Sequence, residues 1–120
     1  MIHLVPLVDW SALPGEPYAP PSLAEEGFIH CADDESVALA VANAFYRESP
    51  RPLLALVLDE EALDARVVRE AAHPAPPAGV ADDTLFPHLF GALTRNAVEE
   101  VLQVVWDETD RAVGLEPFDR

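Results

Sequence analysis

Apolar positions in this chain gather into short runs of strand length, broken by Pro, Gly and Asp. Ile2–Leu7 reads as a first strand. Asp9 is placed to cap a helical turn over Asp9-Trp10-Ser11-Ala12-Leu13. Pro14-Gly15-Glu16-Pro17 is turn chemistry, and Tyr18-Ala19-Pro20-Pro21 continues extended, because residues before proline avoid the helical region. Ser22 and Glu25 have the spacing of a capping box, which predicts a single turn that Gly27 stops. Phe28-Ile29-His30-Cys31 then enters a buried strand.

Asp33 and Asp34 precede the clearest helical period, Glu35–Arg47, with Val37, Ala40, Val41, Ala44 and Phe45 on one face. Ser49-Pro50-Arg51-Pro52 ends that helix. Leu53–Leu58 is apolar throughout, as expected of a central strand. Asp59-Glu60-Glu61-Ala62-Leu63 reads as a further helical turn and Val67-Val68-Arg69-Glu70 as a strand. Residues 71–84 shift to Pro, Ala, Gly and Asp, predicting an irregular loop long enough to act as a lid. The Phe86–Gly91 segment, a turn at Thr94-Arg95-Asn96 and a last strand within Ala97–Trp106 follow. The tail, Asp107–Arg120, is expected to form a helical turn and fray. Strands outnumber helices and their spacing does not repeat. The fold class is therefore α+β: one domain over residues 1–120, a mainly antiparallel sheet and one principal helix.

Composition narrows the partners. The net charge of −15 comes from 22 acidic against 7 basic residues, all of them Arg. Nucleic-acid and anionic-membrane binders carry a basic face, and none is visible here. Local cationic spots remain around Arg66 and Arg69 and around Arg47 and Arg51. No apolar run approaches the ~20 residues of a membrane span, and the opening Met1-Ile2-His3-Leu4-Val5-Pro6 lacks the basic start of a secretory signal. A lone Cys31 fits a reducing compartment, so a cytoplasmic location is expected.

Three of the four histidines interrupt apolar runs: His3, His30 and His88. An imidazole is costly to bury without a partner, so each marks either a hydrogen-bonded core histidine or a pocket. Adjacent strand residues face opposite sides, so His30 and Cys31 are not expected to meet, and Cys31 reads as a small apolar residue rather than a nucleophile. A three-histidine metal site is an alternative, but chelate spacing and carboxylate partners are absent, and no metal is expected. His73, in the Pro-rich loop, is expected to be solvated. Trp10, Phe28, Phe45, Phe86 and Phe90 are core by default, with Trp10 and Phe86 also suited to wall an aromatic ligand. Gly91 either lets a ligand approach the backbone or makes a turn.

Four segments together resemble the bacterial family catalogued as domain of unknown function 952. They are Ile2-His3-Leu4; Pro21-Ser22-Leu23 with Glu26-Gly27-Phe28-Ile29-His30-Cys31; Val68-Arg69-Glu70; and Leu85-Phe86-Pro87-His88-Leu89-Phe90-Gly91. The resemblance spans about residues 1–106. It implies a split antiparallel structure related to the ADP-ribosyltransferase fold, which clasps NAD in a cleft. In that fold a first-strand His or Arg holds the ribose or nicotinamide, and His3 occupies such a position. Phe28–Cys31 is similar to the second motif strand. The glutamate that classical transferases use has no motif here; Glu70, Glu99 and Glu100 are the candidates, and Phe90 stands where relatives are expected to carry Tyr.

The expectation is thus a cleft protein that binds a small nucleotide-like ligand, of NAD or ADP-ribose type. His3, His30 and His88 are its acid–base groups, with Ser22, Phe28, Arg69, Phe86, Phe90 and Gly91 as ligand contacts. A non-catalytic ligand-sensing or scaffold domain is the alternative, and a histidine metal site a further one.

Overall fold

Leu53–Leu58 explains the architecture of the whole chain. Its side chains alternate between two buried faces, so both must be apolar. Leu53 and Ala55 pack with Ile2, Leu4, Ala38 and Ala42 in one core, while Leu54, Leu56 and Leu58 join Val5, Ile29, Leu89 and Leu93 in a second. One central sheet therefore carries a helix on one side and a smaller sheet on the other. This computed structural model describes residues 1–72 and 75–119.

The larger sheet contains β1 (Ile2–Pro6), β3 (Leu53–Leu58), β6 (Val98–Trp106) and β7 (Ala112–Pro117), in the order β1-β3-β6-β7. The smaller contains β2 (Ile29–His30), β4 (Arg66–Ala71) and β5 (Leu85–Phe90), in the order β2-β5-β4. Every pairing is antiparallel. The sheets are stitched where β1 begins: the Ile2 amide donates to the Ala32 carbonyl at 2.7 Å and the Ala32 amide returns to Ile2 at 2.8 Å. This single-domain α+β arrangement agrees with the strand-rich reading.

The principal helix, α3 (Glu35–Phe45), is capped by Asp34, whose Oδ1 accepts the Val37 amide at 2.9 Å. It ends two residues before the expected Arg47. Its core face also differs from the expected one: Ala38 and Ala42 are fully buried, whereas Ala44 and Phe45 are exposed. Two alanines at i and i+4 let the helix axis approach the sheet closely. Val41 packs against the edge of this core and also borders a cleft, and Phe45 turns out to the mouth of that cleft.

Two short helices precede α3: α1 (Leu7–Trp10) and α2 (Pro21–Glu26). Neither start is the expected one. The caps are Pro6 and Pro20, without side-chain cap bonds, so Asp9 and Ser22 lie inside the helices rather than capping them. Proline supplies the start because its fixed φ suits the first helical turn and its missing N–H has no partner there in any case. Gly27 ends α2 at φ 88°, as its position predicts, and returns its amide to the Leu23 carbonyl at 2.9 Å.

The tail departs most from expectation. Residues 107–110 form a tight turn and the chain returns as β7 along β6. Asp107 Oδ1 accepts from the Thr109 and Arg111 amides at 2.8 and 3.0 Å, and Asp110 takes the left-handed conformation at φ 59°. Asn43 of α3 then clamps β7 by bonding both the amide and the carbonyl of Ala112. Of the loop expected over residues 71–84, Ala71 belongs to β4 and residues 75–84 are irregular; His73 and Pro74 lie outside the described residues. Among the described residues no helix is long and apolar enough to cross a membrane.

Candidate functional site

Beside the Ile2–Ala32 stitch, α3 and the outward face of the smaller sheet enclose a cavity of about 580 Å³, within the range of ligand pockets. Strand alternation sets which face of the smaller sheet a residue takes, and from the outward face Phe28, His30, Phe86 and His88 line the cavity. On β5, Phe86, His88 and Phe90 share a face; on β4, Arg66, Val68 and Glu70 do; on β2 it is His30, with Phe28 two residues earlier. The opposite face sends Ile29, Cys31 and Leu89 into the core between the sheets. Pro87, central in β5, has no N–H to give, but its carbonyl accepts the Cys31 amide at 3.1 Å.

His30 and His88 stand directly opposite each other in the β2–β5 register, with ring centroids 5.6 Å apart. Phe28 stacks on His88 at 3.9 Å and 20°, and meets His30 edge-on at 4.8 Å. Each imidazole is held by a carboxylate. His88 Nδ1 lies 2.7 Å from Glu70 Oε1, and His30 Nε2 lies 2.6 Å from Oε2 of Glu26, the last residue of α2, across the Gly27 turn. A carboxylate accepts only, so the bonded nitrogen carries hydrogen in each ring. The other nitrogen, Nε2 of His88 and Nδ1 of His30, is left with a lone pair in the neutral ring. Val41, Phe45 and Tyr46 from α3 and its C-cap form the facing wall, and Phe86, Ala72, Ala75 and Pro77 complete it. Phe45 is 72% exposed at the mouth, where a core residue was expected.

His3 does not enter this cavity. It lines an adjoining one of about 220 Å³, with Tyr18 and Ser22, that shares His30 and Tyr46 with the first. Its Nδ1–H donates to the His30 carbonyl at 2.7 Å, and Nε2 is buried without a partner among the described residues. Burial lowers its pKa to about 4, so the ring is neutral at physiological pH. His3 is thus a positioning residue that holds the His30 backbone. Ser22 acts alongside it: its hydroxyl donates to the Phe28 carbonyl at 3.3 Å, fixing the entry to β2.

Four residues expected at the ligand lie elsewhere. Arg69 is one residue out of step with the site face, and donates to both Asp33 and Glu60 at 2.7–3.1 Å. That tie pulls both carboxylates below their usual range and leaves the guanidinium no free edge. Gly91 serves packing: a Cβ there would stand 2.6 Å from Ala65 Cβ. Trp10 packs against Tyr18 under the Arg95 guanidinium, outside the cavity. Phe90 meets Phe28 at 5.5 Å and lies just beyond the cavity lining.

Cys31 borders the cavity, but burial pushes its thiol up to about 12, so it offers no thiolate near neutrality. Among the described residues no three His, Cys, Asp or Glu side chains converge as metal ligands. The residues that sequence reasoning missed are Glu26, the Val41–Phe45–Tyr46 wall and the pairing of Glu70 with His88. Glu26 was visible as an i−4 neighbour of His30; the α3 wall was not, because Phe45 matched a core position by spacing.

The sequence profile of the family described as "Protein of unknown function (DUF952)" matches residues 4–101. Among solved structures, protein CC0527 from Caulobacter crescentus superimposes with a TM-score of 0.65 at 18% identity, covering 93% of this chain and 91% of that one. A double-mutant form of the same protein gives a TM-score of 0.65 at 17% identity over the same shares. At that identity the likeness is one of fold. No curated protein matches this chain.

Proposed function

This chain belongs to the DUF952 family, and within it we propose a cleft protein of ADP-ribosyltransferase-like architecture that binds a small nucleotide-type ligand, of NAD or ADP-ribose kind, and acts on it through His30 and His88. The observation that carries this reading is the pair of carboxylate-held imidazoles facing one largely apolar cavity. Phe28, Phe86, Phe45 and Tyr46 give a planar ring large apolar surfaces to lie against. Glu26 and Glu70 make the same end unfavourable for a naked anion and favourable for a neutral or cationic ring, such as nicotinamide.

The chemistry follows from the tautomers. With one ring neutral and the other protonated, the first takes a proton from an attacking hydroxyl as the second gives one to a leaving group. The carboxylate behind each ring fixes its orientation and stabilises the imidazolium as it forms. No thiolate is at hand, so the attacking group is water or a hydroxyl of the substrate. Which of the two rings acts as base is decided by the pose of the ligand. A ligand-sensing domain without turnover is the second reading, favoured by Glu26: it is the one carboxylate among the described cavity-lining residues, and it is already engaged with His30.

Calorimetric titration with NAD, ADP-ribose and a single-stranded RNA, repeated on His30→Ala and His88→Ala, tests the proposal. Saturable binding of a small nucleotide that both substitutions weaken supports it. Tight RNA binding that is indifferent to both residues contradicts it. Turnover in the nucleotide arm separates the first reading from the second.

A further inference from the structure

We propose that the sheet face just outside the cavity carries a phosphate subsite, formed by the Arg66 guanidinium above the ring of Phe90, so that the ligand is a nucleoside phosphate rather than a nucleoside or a free base. This rests on the cavity being a nucleotide-type site, and deepens that reading. Arg66 opens β4 on the same face as Glu70, directly opposite Phe90. Its guanidinium lies 5.1 Å from the Phe90 ring centre, which orients it over the face. Phe90 in turn meets Phe28, and Phe28 stacks on His88. An unbroken aromatic floor therefore runs from the two histidines to this cation.

Arg66 is also available. The guanidinium groups of Arg47, Arg51, Arg69 and Arg95 are engaged by carboxylates or backbone carbonyls. Among the described residues Arg66 makes no ion pair and no side-chain hydrogen bond, so its planar fork is open to a bidentate acceptor. Arg69, which the sequence offered as the ligand contact of this strand, faces the other way. The strand separates opposite charges along its length: Glu70 stands four residues from Arg66, roughly 13 Å at the rise of a strand. That exceeds the ~8 Å Debye length at physiological salt, so a phosphate at Arg66 is largely screened from the Glu70 carboxylate. A ligand with a ring at the histidine end and a phosphate at the other end matches this polarity.

The test compares adenosine with AMP, which differ only in the phosphate, on the full chain. Wild-type protein is expected to bind AMP about tenfold more tightly, the worth of one partly screened charge-assisted bond. Arg66→Gln keeps an aliphatic stem over Phe90 and is expected to reduce AMP to the affinity of adenosine, leaving adenosine unchanged. Thermal melts verify that the variant is folded. Equal binding of AMP and adenosine by the wild type, or an AMP advantage that survives Arg66→Gln, removes the subsite while the cavity reading stands. Failure of both ligands to bind removes the subsite, and failure of NAD and ADP-ribose as well removes the cavity reading with it.

Discussion

His88 Nδ1 and Glu70 Oε1 are 2.7 Å apart across a diagonal of the β4–β5 ladder, since His88 is registered with Val68 and Glu70 with Phe86. Diagonal neighbours meet only through long side chains. Here the contact selects one tautomer of a buried imidazole and leaves its Nε2 lone pair for the cavity. Glu70→Ala removes that selection. Imidazole ¹⁵N spectra are expected to show His88 changing from Nδ1–H toward a mixture of tautomers. Nucleotide affinity or turnover is expected to fall about tenfold or more, with a stability loss of about 1–3 kcal/mol because the buried His88 Nδ1 is left without its partner.

Phe28 is the second support of that ring. Phe28→Ala removes the stacked surface from His88 and one edge contact from His30. We expect a stability loss of about 2 kcal/mol, below that of a fully buried phenylalanine because the residue is only half-buried. Binding is expected to weaken with it. Phe45→Ala separates the two effects: its side chain is exposed at the mouth, so chemical denaturation should be unchanged while ligand affinity drops.

His3 makes stability depend on pH. Its folded pKa, lowered to about 4 by burial, lies below the 6.5 of a free imidazole. The unfolded chain therefore binds the proton first, and the native state loses stability as pH falls from about 6.5 toward 4. Above that window the contribution is complete. The shift corresponds to about 3 kcal/mol at the acid end. Urea denaturation at a series of pH values should show this slope, and His3→Asn, whose amide can still donate to the His30 carbonyl, should flatten it. Asp33 and Glu60, held low by Arg69, add a further loss only below the ordinary carboxylate range.

Gly91 and Ala65 form a close contact with a paired test. Gly91→Ala places a methyl 2.6 Å from Ala65 Cβ, which is expected to cost about 1–3 kcal/mol. Adding Ala65→Gly should recover most of it. A double-mutant cycle with no coupling would mean that Gly91 serves the backbone or a ligand instead.

Much of this molecule was legible in its residues. The apolar run Leu53–Leu58 marked a strand buried on both faces, and the Asp34 cap, the Gly27 stop and the α+β class followed from local chemistry. Alternation also separated His30 from Cys31 correctly. The failures share one cause: they depend on which side of a strand or helix meets which layer. Arg69 and Arg66 differ by three residues, and only the β4–β5 register says that Arg66 faces the site. Phe45 lies on the helical stripe that spacing selects, yet the two alanines set the core face. The tail read as frayed because the turn signal at Asp107–Asp110 is a side-chain bond to backbone amides, visible only once β7 pairs with β6. His3 was grouped with His30 and His88 by sequence context, whereas its hydrogen bond to the His30 carbonyl sets it behind the site.

The central claim is that one cavity, floored by Phe28 and flanked by His30 and His88, holds the ligand. Imidazole ¹H–¹⁵N correlation spectra recorded during titration with ADP-ribose test it most directly, because each histidine reports separately. The account predicts saturable shifts of His30 and His88 with one common dissociation constant, abolished in both rings by Phe28→Ala, and little movement of the buried His3 ring. Saturable binding that leaves His30 and His88 unmoved, or no binding at millimolar ADP-ribose, would contradict it.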